Sequence, residues 1–429
     1  MTRRRVGALL AVLLGALALV SGAGAAEPAH EEAHQGKAKK GAAPQQHAHV
    51  SPGPHVLAKA WALIDGRTGE VLTSHAGNER RLVASTTKLM TAYVAMHDLP
   101  LGKVVEAQPY EYEYGESVMG LQAGEKISVR DLLYGLILLS AGDAAHTLAI
   151  ESAGSVKKFV GQMNRYAAAL GLTNTHFQNP VGLDSKTNYS SALDLAALTE
   201  ELLKDPAFAK ISNTRETTLK SVHPHRKIKT INELWEMAPW VTGVKTGHPW
   251  RAGYVLVGSG TRRGIKLISV AIDAPTDETR FSDNLELLEW GFRQYHRKKA
   301  LHQGEELASP AIRYSGGELP LVVGRDLKVA LRDGQEAEVE VDAPAEVSGP
   351  IRRGQRLGTA TVSVAGLRAG TVPLVASRSI PAASSFDKAR GWIGEHLVLL
   401  EVAACAILIA GMLLGWSIRR VRKRKGVSQ

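Results

Sequence analysis

From Leu397 to Ile418 the chain runs 22 residues with a single charge, Glu401, close to the leading end. An α-helix rises 1.5 Å per residue, so this stretch matches a hydrocarbon core roughly 30 Å thick. Arg419, Arg420, Arg422, Lys423, Arg424 and Lys425 follow directly, and a basic flank is the one retained on the cytoplasmic side. The N-terminus carries a complementary signal. Arg3, Arg4 and Arg5 precede an apolar run from Val6 to Val20 and the small residues Ala23-Gly24-Ala25. A basic start, a short apolar core and a small-x-small site predict a secretory signal peptide over residues 1–25. The two ends agree on one topology, with the body outside, a single span over 397–418, and the tail 419–429 in the cytoplasm.

That topology changes the meaning of the charge. Of the formal +10, three arginines leave with the signal peptide and six cations sit in the tail, so the exported part carries about +1. A nearly neutral body excludes nucleic acid as the expected partner. The only cysteine, Cys405, lies within the predicted span, so the outer part has no disulfide framework and no thiol chemistry. Its length suffices for an ordinary hydrophobic core.

Residues 26–55 mix Ala, Gly, Pro, Lys and Gln with His30, His34, His47, His49 and His55. Lacking apolar periodicity, this stretch reads as a disordered tether; metal binding by its histidines is the lesser reading, and no metal or cofactor is expected elsewhere. A folded domain is expected over 56–298. Ala60–Ile64 and Glu70–Leu72 flank Asp65-Gly66-Arg67-Thr68-Gly69, a hairpin signature. Helical periodicity runs from Ser85 through Leu89, Tyr93 and Met96 until Pro100. A second helix opens at Ser128, with Asp131 as its capping-box partner; its body, Leu132–Leu139, is apolar nearly all round and therefore buried. More helices reach about Lys204. Strands return at Gly253–Ser259 and Lys266–Ile272 around a turn at Gly260 and Gly264, and an amphipathic helix holds Leu285, Leu288, Trp290 and Phe292. Strands at both ends with helices between them predict an α+β domain, an antiparallel sheet flanked by helices with an all-helical subdomain. From 299 to 378 short alternating runs (Leu327–Leu331, Ala337–Val341, Thr359–Val364, Val372–Val375) between Gly and Pro turns predict a small β domain, and 379–396 a linker to the span.

Three short patterns carry the chemistry. In Ser85-Thr86-Thr87-Lys88 a helix starting near the serine places the lysine at i+3 on the same face. A serine hydroxyl needs a base, and the Lys88 amine serves only if burial and a nearby cation lower its pKa. Alone the pattern is weak, since average residue usage produces Ser-x-x-Lys about once or twice by chance in a chain this long. It has company. Lys245-Thr246-Gly247, followed by His248, lies just before the strand pair; a lysine and a threonine at a strand edge can hold a carboxylate, Gly247 permits close approach to the backbone, and Lys245 supplies a second cation for Lys88. Between the two, the buried helix ends at Ser140-Ala141-Gly142-Asp143, which can carry Ser140 into the same cleft.

Ser-x-x-Lys, a Ser-x-Asn-like turn and Lys-Thr-Gly form the ordered set of penicillin-binding proteins and serine β-lactamases. The flanking text, Ala84–Thr91, Gly120–Glu125, Asn179-Pro180-Val181-Gly182-Leu183, and Gly243–Gly247 with Ala252-Gly253-Tyr254, is similar to the low-molecular-mass D-alanyl-D-alanine carboxypeptidases over about Val56–Gln294. The β domain after it resembles that family's C-terminal sandwich. The resemblance implies the β-lactamase/DD-peptidase-like fold and removal of terminal D-alanine from peptidoglycan stem peptides ending in D-Ala-D-Ala, with β-lactams as acylating inhibitors. It implies Ser85 as nucleophile, Lys88 as general base, Ser140 as proton relay, Lys245 and Thr246 with Gly247 at the substrate carboxylate, and the backbone N–H groups of Ser85 and His248 as the oxyanion hole. It also implies a protein of the cell membrane with its catalytic domain on the wall side.

Two features depart from the family pattern. The second motif ends in Gly142 where an asparagine is usual, which removes a side-chain amide from the cleft and predicts an altered rate or specificity. The chain also ends in a span where the family commonly has an amphipathic surface helix. Rival readings are a β-lactamase, against which stands the lack of a Glu-x-x-x-Asn between the second and third motifs; a cross-link endopeptidase, whose members tend to lack the extra β domain; and a catalytically silent wall-binding protein, for which Gly142 is the only support.

Overall fold

A computed structural model describes residues 53–425, apart from residues 114, 184, 249–252 and 315. The expected signal peptide, nearly all of the histidine-containing tether and Ala252 lie outside the described residues.

The first domain is built around a five-stranded antiparallel sheet. Its strands are β1 (Ala60–Asp65), β2 (Val71–His75), β3 (Val241–Gly247), β4 (Tyr254–Arg262) and β5 (Ile265–Ala274), in the order β2-β1-β5-β4-β3. Two-residue periodicity sends alternate side chains to opposite faces. On one face Ala62, Ile64, Ile268 and Val270 join a large core shared with the inserted helices. On the other, Leu63 and Leu267 pack with Phe281, Leu287, Leu288 and Phe292. The inserted helices include α1 (Lys88–Asp98), α2 (Val129–Leu138), α3 (Gly142–Ala153), α4 (Val156–Ala169) and α5 (Ala192–Leu202), and the opposite face is covered by α6 (Asp277–Arg293). The expected α+β architecture is the one observed.

Local details differ from expectation. The β4–β5 turn is Arg263-Gly264, both at positive φ (53° and 82°), the pair a tight hairpin demands; Gly260 stays in β4. Helix α2 starts as expected, with the Ser128 hydroxyl accepting from the Asp131 N–H at 3.1 Å. The reciprocal half of the capping box is missing. The Ser128 N–H donates to Ser221 Oγ at 2.9 Å, and the Asp131 carboxylate accepts from the Ser221 N–H and hydroxyl instead. A tertiary partner with two donors outcompetes the single local one.

The β domain has its own core, including Leu321, Val323, Val329, Leu331, Val362, Val372 and Leu374. Its main sheet runs Glu306–Ala308, Leu321–Val323, Leu367–Ala376, Arg356–Val364, Ala337–Asp342. The strand Tyr295–Leu301 pairs with Leu327–Arg332, so residue 298 lies within a strand, and α6 ends at Arg293. The segment expected as a linker is partly helical. Ser385–Glu395 starts from a complete capping box between Ser384 and Asp387, and exposes Phe386, Trp392 and Ile393. The helix Leu397–Lys425 follows, and Leu397–Trp416 within it is long and apolar enough to cross a membrane.

Candidate active site

Ser85 sits in a 3₁₀ turn, Ala84–Thr87, that leads into α1. Sequence periodicity pointed to an α-helix there, but a 3₁₀ turn is tighter and brings residues i and i+3 into register. Lys88 is thereby set over Ser85, with Nζ donating to Oγ at 3.1 Å. The turn is held by Thr86, whose N–H and hydroxyl both bond to the Val83 carbonyl, at 3.1 and 2.6 Å. Ala84 takes a left-handed φ of 46°, a conformation that surrounding contacts must sustain. Lys88 is buried, and its Nζ donates a second bond of 2.5 Å to the Val181 carbonyl. Burial lowers its pKa from 10.5 to about 8, against the opposing pull of Glu116 and Asp143.

The carbonyl that receives Lys88 belongs to the loop Asn179–Leu183. Asn179 Oδ1 gathers the N–H groups of Val181, Gly182 and Leu183, at 3.1, 2.6 and 3.1 Å. Thr91 of α1 donates to Pro180 O at 2.6 Å. Gly182 has φ 86°, and a Cβ there would overlap the Ala84 carbonyl and lie 2.9 Å from Ser85 N. Only glycine lets the loop rest against the peptide preceding the serine. Sequence reading assigned this loop no role; Asn-Pro followed by Gly is a turn signal, but nothing local says which lysine such a turn serves.

Edge strand β3 forms one wall of the cleft. Thr246 and His248 line it, while Lys245 lies one layer behind, wholly buried. Its Nζ donates to the Thr246 carbonyl at 2.7 Å. The Lys245 ammonium is held well below its usual range by burial first, then by Lys88 and Arg280. The expected second cation is therefore present, and burial is the largest cause of the lowered pKa at both lysines. At Gly247 the close approach is made by the protein itself, since a Cβ there would meet Val83 O at 3.1 Å and Ala84 Cβ at 3.4 Å. Arg280 of α6 lines the same wall. It donates to the Gly247 carbonyl at 2.9 Å, pairs with Asp277 and lies 5.3 Å from the Tyr254 ring centroid. No sequence motif singled out Arg280.

The opposite side is the turn between α2 and α3. As expected, the end of α2 carries Ser140 into the cleft: it lies between the helices at φ 60°, buried and bordering the cleft with Ser85 and Lys88. Gly142 is the first residue of α3. A Cβ on it would overlap Glu116 Oε1 and lie 3.1 Å from Tyr110 Oη. Glu116 and Ser117 also border the cleft; neither was identifiable from sequence.

The cleft encloses about 110 Å³. It combines a hydroxyl, a buried amine near its own titration point, a second buried serine, and a wall of hydroxyl and guanidinium donors suited to a carboxylate. Such a set has the groups that acyl transfer through a serine ester requires. Among the described residues no group of three or more His, Cys, Asp or Glu side chains is arranged to hold a metal.

A family model described as D-alanyl-D-alanine carboxypeptidase matches residues 45–276, and one described as Penicillin-binding protein 5, C-terminal domain matches residues 295–382. The D-alanyl-D-alanine carboxypeptidase DacA of Escherichia coli is 33% identical over 351 residues, covering 78% of this chain and 86% of that protein. DacF of Bacillus subtilis, a D-alanyl-D-alanine carboxypeptidase, is 31% identical over 349 residues, covering 79% and 90%. The crystal structure of penicillin binding protein 5 from Haemophilus influenzae superposes with a TM-score of 0.54 at 29% identity, covering 77% of this chain and 99% of that one.

Proposed function

The chain belongs to the D-alanyl-D-alanine carboxypeptidase family, serine peptidases that act on peptidoglycan and bind β-lactams, and we propose that its cleft removes the terminal D-alanine of stem peptides through an ester on Ser85. One observation carries the assignment of roles. A buried lysine, with a pKa of about 8, stands 3.1 Å from the serine hydroxyl.

Neutral Lys88 takes the proton of Ser85 Oγ as the oxygen bonds to the carbonyl carbon of the penultimate D-alanine. The backbone N–H groups of Ser85 and His248 receive the resulting oxyanion. As the C–N bond breaks, Ser140 passes a proton from Lys88 to the leaving amine, and D-alanine departs. Thr246 and Arg280, with Lys245 behind them, hold the terminal carboxylate. Water then attacks the ester, Lys88 again acting as base, and Ser85 regains its proton. A β-lactam is attacked in the same way, but its leaving nitrogen stays tethered, so the ester persists.

We further assign residues 1–25 to a cleaved signal peptide and 26–55 to a tether. The helix from Leu397 is the single span, with the basic residues from Arg419 onward in the cytoplasm. The length and apolar character of Leu397–Trp416 support that anchor.

The test uses the full chain in detergent. Fluorescent penicillin should label it stably, a pentapeptide ending in D-Ala-D-Ala should release D-alanine, and Ser85→Ala should lose both. Rapid turnover of the penicillin would identify a β-lactamase instead, and absence of labelling a silent protein.

A further inference from the structure

We propose that Glu116, anchored by Tyr110 in the space that Gly142 leaves open, is the positioning residue for Lys88 in this chain, and that Gly142 and Glu116 form one interdependent pair. The inference rests on the acyl-transfer reading above.

Exclusion is the first support. A side chain at 142 would start inside Glu116 Oε1, so Glu116 keeps its place only because residue 142 is glycine. Anchoring is the second. Tyr110 Oη donates to Glu116 Oε1 at 2.5 Å, and the Glu113 N–H donates to Oε2 at 3.3 Å. Burial, and next the bond to Glu116, push the Tyr110 hydroxyl far above its usual range, so it stays a donor at every working pH. The His146 ring backs the Tyr110 ring at 5.1 Å between centroids. The loop is pinned as well. The Gly142 N–H donates to Ser117 O at 2.8 Å, while the Asp143 carboxylate takes the Met119 and Leu121 N–H groups at 3.0 and 2.9 Å.

Chemistry decides which neighbour is served. A carboxylate only accepts hydrogen bonds, whereas an amide also donates. Glu116 therefore cannot donate to a substrate carbonyl, but it can hold and charge-balance an amine. Ser85, Lys88 and Glu116 line one cleft, with Thr246, His248 and Arg280 along its wall; Glu116 and then Asp143 pull the Lys88 amine toward its charged form, and Lys245 is the other charged group coupled to it.

The test compares penicillin acylation rates of the full chain in detergent for wild type, Gly142→Asn, Glu116→Ser and the double variant. Gly142→Asn should lose at least 10-fold. The double variant should recover at least 5-fold over Gly142→Asn, because the asparagine then has room. An equal loss from Gly142→Asn in both backgrounds would overturn the pairing. Glu116→Gln tests the charge without changing shape, whether or not Gly142→Asn folds. It should move the acid limb of acylation to lower pH while KM for the pentapeptide stays within 2-fold. An unmoved limb would reduce Glu116 to packing. Failure of wild type itself to label sinks the underlying reading, whereas labelling with independent losses sinks only this inference.

Discussion

With Lys88 as the proposed base, the rate of acylation becomes a titration of one buried amine. At an ordinary pKa of 10.5, about 0.03% of lysine is neutral at pH 7; at a pKa of about 8, about 9% is. Burial thus raises the working fraction roughly 300-fold. The second-order rate of penicillin acylation, which reports the free enzyme, should rise about 10-fold per pH unit below 8 and flatten above 9. Stability supplies an independent readout. The folded pKa lies below the unfolded one, so the unfolded chain binds more protons between about pH 8 and 10.5. Stability is therefore reduced by about 3 kcal/mol below pH 8, and the deficit is recovered as pH rises through that window. Lys245, displaced in the same direction, adds to the trend. Stopped-flow labelling across pH 6–10, with thermal melts in the same buffers, measures both. An acid limb centred near 10.5, or a flat profile, would refute Lys88 as the base.

Gly182→Ala should cut acylation at least 10-fold and lower Tm, because its Cβ strikes the Ala84 carbonyl and the Ser85 amide; kinetics within 2-fold of wild type would show that the loop is not a rigid floor. Arg280→Gln should raise KM for a D-Ala-D-Ala peptide about 10–100-fold, the range for losing a charged hydrogen-bond partner, while penicillin labelling persists with thermal stability as the folding control. A loss confined to kcat would remove Arg280 from the carboxylate site. A chain ending at Ala383 lacks both C-terminal helices but keeps both cores; it should purify without detergent and label at half the wild-type rate or faster. A continuing need for detergent would place a membrane-binding surface elsewhere.

Elements with strong local signals were legible from sequence. The β1–β2 hairpin, the buried character of α2 and the alternating strands of the β domain each follow from residue periodicity, which depends only on neighbours along the chain. Ser85 and Lys88 were legible too, since three residues of spacing settle their proximity in any tight helical turn. Local rules failed where a distant partner offered more, as when Ser221 took the Asp131 carboxylate out of its capping box.

The sequence by itself determined the order of the motifs, the apolar segment near the C-terminus and a serine–lysine pair one turn apart. Tertiary structure alone decided the rest of the site. Arg280 arrives from a helix on the far face of the sheet, Val181 supplies a carbonyl 93 positions from the lysine it binds, and Glu116 occupies the space beside Gly142. The physical reason is shared by all three. Burial, charge balance and excluded volume depend on distances through space, and along the chain a missing side chain looks like a deficit until the neighbour that fills its place is brought alongside.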